Sequence, residues 1–160
     1  MEWFNYYGLI FVAVIMIPNV IFAATNKDGF KNLYKNETAE KAEKVGRSGC
    51  FVFAMVNLPY LVKGFWFNGG FIAYIVCGSV LTLAYVSGWV IFRRESSVRK
   101  SLYLSVTPSL LFLTCGILSL NIPLIICAVI FAPSHILISY KNAKESAKEN
   151  SKTAADENSK

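Results

Sequence analysis

The sequence predicts an all-α integral membrane bundle of five transmembrane helices with a short cytoplasmic connecting helix. Two observations carry that expectation. No charged side chain occurs between Trp3 and Ala24, between Gly64 and Phe92, or, with His135 neutral, between Leu102 and Tyr140. All 16 basic residues except Lys63 fall in three segments that lie between or after the apolar runs. A helix needs about 20 predominantly apolar residues to cross a hydrocarbon core of about 30 Å, and each charge-free stretch reaches that length. The 160-residue chain is 54% hydrophobic and 16% charged, with a mean hydropathy of +0.45. A water-soluble domain of this length could not hide so much apolar surface.

The first span is expected over 3–24, ending in the turn-forming Asn26-Lys27-Asp28-Gly29. Its start, MEWFNYYG, has no Lys or Arg, and Ile21-Phe22-Ala23-Ala24 puts a bulky residue where signal cleavage wants a small one. The run therefore reads as a span and not as a removable signal. The second span is expected over 49–67, where Lys63 can send its ammonium to the interface while its stem stays in lipid. Asn68-Gly69-Gly70 turns the chain into a third span over 70–92, and a fourth covers 102–119. Asn121 caps a fifth, 122–140, with Pro123 in its first turn, where a missing N–H costs little. Trp3, Tyr6, Tyr7, Trp66, Trp89, Tyr103 and Tyr140 stand near span ends, as an interfacial belt requires.

Orientation follows from the basic residues. Lys27, Lys31, Lys35, Lys41, Lys44 and Arg47 occupy the 25–48 connection, Arg93, Arg94, Arg99 and Lys100 the 93–101 connection, and Lys141, Lys144, Lys148, Lys152 and Lys160 the tail. An odd number of spans puts all three on one side, which the positive-inside rule assigns to the cytoplasm. The N-terminus is then outside and the C-terminus inside. Within 25–48, Glu37 with Lys41, Glu40 with Lys44 and Glu43 with Arg47 are acid-first i,i+4 pairs, and Asn36 is a cap, so a short surface helix is expected there. The polar tail, 141–160, is expected to fray into disorder.

The chemistry-bearing residues are few. Cys50, Cys77, Cys115 and Cys127 all fall in apolar runs, with no CxxC spacing, and read as packing residues. No metal, cofactor or nucleic-acid partner is expected; the net charge of +6 is a topology signal. No Asp or Glu lies in an expected span, which argues against proton-coupled transport, and no nucleophile, metal or phosphate motif is present. Pro18, Pro59, Pro108 and Pro133 each strip a helical bond from the carbonyl four residues earlier, and each has polar company in Asn19, Asn57, Thr107 with Ser109, or Ser134 with His135. Those polar groups either repair their own helices or line a shared pocket open to the cytoplasm, formed by Asn19, Asn57, Thr107 and His135. Small residues at four-residue spacing, Gly46, Cys50 and Ala54, then Ala73 with Cys77 and Ala84 with Gly88, give seams for helices of this chain or of a partner.

Ile17-Pro18-Asn19, the charged connection, Gly46-Arg47 through Cys50 and Asn57-Leu58-Pro59 together resemble uncharacterised small multi-pass membrane proteins of Gram-positive bacteria, over roughly the first 60 residues. The resemblance implies a bacterial inner (cell) membrane and no particular activity. The expected role is a non-enzymatic accessory or binding component. A small oligomeric transporter or channel is the alternative, and a membrane-embedded enzyme using His135 is a third.

Overall fold

Where the apolar runs are unbroken, the helices form where the sequence places them. The computed structural model describes residues 3–25, 33–93 and 97–157. Its helices are α1 (Tyr6–Thr25), α2 (Glu37–Met55), α3 (Gly70–Ile91), α4 (Val98–Leu118) and α5 (Ile122–Glu157). Four of them, α1, α3, α4 and α5 over Ile122–Glu149, are long and apolar enough to cross a membrane. The Asn26–Gly29 turn and Lys27, Lys31, Arg94 and Lys160 lie outside the described residues.

The second helix departs from expectation. It runs over Glu37–Met55, so the expected connecting helix and the first part of the expected 49–67 span are one continuous element. Glu37, Glu40, Lys41, Glu43, Lys44 and Arg47 occupy its first three turns. Asn36 caps it, its side chain accepting from Ala39 N at 3.1 Å. Pro59 accounts for the other end. Proline disfavours helical backbone at the residue before it and cannot donate to the carbonyl four positions back. That carbonyl, Met55 O, accepts instead from Asn5 N at 2.7 Å, while Asn57 N donates to Trp3 O at 2.8 Å. Pro59 therefore stops a helix where the sequence suggested a kink in one.

The C-terminal tail also differs. α5 continues through the expected disordered segment to Glu157. Lys, Glu and Ala are strong helix formers, and a helix already nucleated by a packed span grows without the cost of a first turn. Lys148 Nζ lies 3.2 Å from Glu145 Oε1 on this extension.

Cross-helix contacts fix the directions. α1 runs parallel to α3, through Tyr7 on Phe71 and Phe22 on Trp89. α4 runs antiparallel to α5, through Ser101 Oγ donating to Ser139 O at 2.8 Å and Phe112 against Phe131. α3 and α4 meet at Gly88 and Tyr103. α2 lies antiparallel to α5 along its length. Tyr34 N donates to Asn142 Oδ1 (2.8 Å) at one end, and Asn121 Nδ2 donates to Phe53 O (2.8 Å) at the other. Between these, Gly46 sits on Phe131, where a Cβ would come within 2.8 Å of the Phe131 backbone. Gly46, Cys50 and Ala54 are all buried, so this small-residue seam is used inside the chain. The chain alternates direction from helix to helix. Lys35, Arg93, Arg99, Lys100 and Lys141 gather at one end, and Lys63, whose N–H donates to Leu120 O, sits at the other.

Candidate functional site

The structure separates the four residues expected to share a pocket. Asn57 follows α2 at the end of the bundle away from the basic cluster. There it lines a crevice of about 230 Å³ with Phe4, Asn5, Tyr6, Phe71, Tyr74 and Ser119 among others. Asn19, Thr107 and His135 lie toward the basic end, on three different helices. The expected pocket needs Asn57 and Pro59 inside a span; α2 ends at Met55, and Asn57 lies beyond it.

Asn19 bridges two helices. Its Nδ2 donates to Ile15 O at 2.9 Å, and its Oδ1 accepts from Tyr85 Oη of α3 at 2.9 Å. Thr107 turns onto its own helix, Oγ1 donating to Tyr103 O at 2.7 Å. Ser109 does the same to Ser105 O at 2.8 Å, and Ser134 to Ile130 O at 2.8 Å. These side chains engage carbonyls next to those that Pro18, Pro108 and Pro133 leave without a helical donor. Each of these donors is thus engaged by a carbonyl of its own helix, one residue away from the carbonyl its proline leaves open.

His135 differs in that its partner on another helix is ionisable. Its Nδ1 lies 3.2 Å from Glu43 Oε1 of α2, while Arg47 Nη2 lies 3.4 Å from Glu43 Oε2. The Glu43 side chain is 13% exposed and that of His135 24%, whereas Arg47 is nearly half exposed. Phe131 stacks on the imidazole, with ring centroids 4.6 Å apart and planes 19° from parallel. The stack and the carboxylate together fix the ring's plane and direction. Gly46, one turn on from Glu43, lets α2 approach closely enough for this contact. Chemically, the carboxylate faces an imidazole on one oxygen and pairs with a guanidinium on the other, whose charge balances its own.

The Glu37–Lys41 and Glu43–Arg47 pairs form as the sequence spacing indicates, at 3.3 and 3.4 Å. Sequence alone does not reveal the meeting of Glu43 with His135, because the charged half of α2 reads as a surface helix. A signal for it existed. The stripe of Gly46, Cys50 and Ala54 continues one turn back onto Ala42 and Glu43, placing the carboxylate on the packed face. The expected spans hold no carboxylate by composition, yet the fold sets Glu43 beside the middle of α5.

Among the described residues no group of three or more His, Cys, Asp or Glu is placed to hold a metal ion. Comparison with protein-family models, curated proteins and solved structures finds no match to this chain, so its own geometry must carry the functional reading.

Proposed function

We propose that the chain is a five-pass protein of a bacterial cell membrane, N-terminus outside and C-terminus in the cytoplasm, acting as a non-enzymatic component that binds a membrane partner. The register of α2 against α5 carries this reading. α5 starts at Ile122, and His135 lies about 20 Å along it at 1.5 Å per residue. Glu43 meets His135 there, so α2 shares the depth of an apolar helix although it is half charged. With α2 crossing, the helices alternate, and every described basic side chain but Lys63 falls on one side or in α2 itself, in keeping with the positive-inside rule. The outward face of α2 then carries charge at a depth where lipid offers no hydrogen bonds. Contact with another protein meets that need.

A second reading, a small oligomeric transporter or channel, draws on the Glu43–His135 pair, since a carboxylate held at span depth is what proton-linked transport requires. Purification of the tagged chain from its native membrane in mild detergent separates the two. A second membrane protein at constant ratio through successive columns is the expected result. A chain recovered alone that conducts protons in liposomes, and loses that flux on Glu43→Gln, would replace the first reading with the second.

A further inference from the structure

Resting on the five-pass reading, we infer that the outward face of α2 docks a transmembrane helix carrying a carboxylate in its cytoplasmic half. α2 buries Gly46, Cys50 and Ala54 and turns Lys41, Lys44, Val45, Ser48 and Val52 outward, all exposed. These recur at four- and three-residue steps, the spacing of a helix-packing seam. The seam is apolar or small at Val45, Ser48 and Val52 and cationic toward the basic end.

Lys44 decides the chemistry. It lies seven residues into α2, about 10 Å from the helix start by helical rise. Lys41 pairs with Glu37 and Arg47 with Glu43 as their spacing indicates, but the expected Glu40–Lys44 pair is not among the ion pairs of the described residues, and Lys44 has no other there. With the headgroup layer taken as level with the start of α2, a lysine stem of about 6 Å leaves the ammonium short of it, in a medium that solvates it poorly. Arg47 stands deeper still, half exposed, with guanidinium donors beyond the one on Glu43. The exposed charge at this depth is therefore positive, because Glu43 is turned inward. An acidic side chain at matching depth completes it.

A second copy of this chain fits less well. Two copies of one topology meet at equal depths, so Lys44 and Arg47 would face their own equivalents. Like charges in a medium of low dielectric repel strongly.

The test uses the full chain with Ser48→Cys, in liposomes of neutral phosphatidylcholine, together with synthetic Leu/Ala transmembrane helices that each carry one cysteine at the matching depth. One helix has a Glu level with Lys44, one has Gln there, and one has the Glu moved to the outer half. The first should form at least tenfold more disulfide-linked adduct than the other two, and Lys44→Gln with Arg47→Gln should erase the difference. Equal yields from the three helices overturn the proposal. So does an adduct formed chiefly between two copies of the chain. Loss of the preference when phosphatidylglycerol replaces a third of the lipid would assign the face to an anionic headgroup, and also overturns it. In the same liposomes, Lys63→Cys and Lys141→Cys labelled from opposite sides keep the five-pass reading standing whichever way the helix test falls.

Discussion

α2 and α4 flank α5, and both run antiparallel to it, but they are opposite in composition. α4 has no ionisable side chain between Tyr103 and Cys115 and turns Thr107 and Ser109 onto its own backbone. α2 carries six charged residues before Ser48 and uses one of them, Glu43, to reach the neighbouring helix. α4 is placed by a largely apolar surface, with hydrogen bonds to its neighbours from Ser101 and Tyr103 in its first two turns. α2 is placed by a narrow stripe of small residues, the Glu43–His135 pair and backbone bonds at its far end from Asn121 and Asn5. The depth of a helix in a bundle thus depends on what its packed face meets, and hydropathy averaged over all faces can miss it.

Substitutions at three positions probe that contrast. Gly46→Leu should have the largest effect, because the new side chain would overlap the Phe131 backbone. Overpacking of this kind costs about 3 kcal/mol, and the melting midpoint in detergent should fall sharply, with α2 becoming sensitive to protease. An unchanged midpoint would mean that α2 does not lie on α5. Glu43→Ala should come next, at about 1–3 kcal/mol, since it removes the acceptor of both His135 and Arg47. Glu43→Gln keeps an acceptor for the imidazole and should lose less, and the difference between the two melting midpoints reads the contact directly. Thr107→Val, on α4, should shift stability by no more than about 0.5 kcal/mol, because only a bond within its own helix is lost. A large loss there would show that Thr107 serves more than its own helix.

The apolar helices were legible because nothing competes with a long uncharged run. α1 and α3 fall within a few residues of their expected bounds, and Asn121 caps α5, accepting from Leu124 N at 3.1 Å. α2 was not legible as one element. Its two halves answer to different rules, i,i+4 charge pairs up to Arg47 and small-residue packing from Gly46 onward, and no single window spans both. Pro59 was ambiguous by nature, since a proline kinks some helices and ends others; the backbone of Trp3 and Asn5, distant in sequence, supplies the partners that favour an end. The site was half legible. His135 stood out as the sole histidine, but its partner came from a region assigned to water, and the packing of α2 on α5 at Gly46 and Phe131 brings them together.

The uninterrupted passage of α5 beyond Tyr140 makes the carboxyl-terminal segment a stiff mast. Seventeen further residues to Glu157 extend about 25 Å at helical rise, and the mast is stepped at its foot, where Lys141 lies over the Tyr34 ring and Asn142 holds the Tyr34 backbone. Any twist or tilt of α5 within the bundle would be magnified at the tip, so a reporter fused there would register small rearrangements at the foot as large displacements.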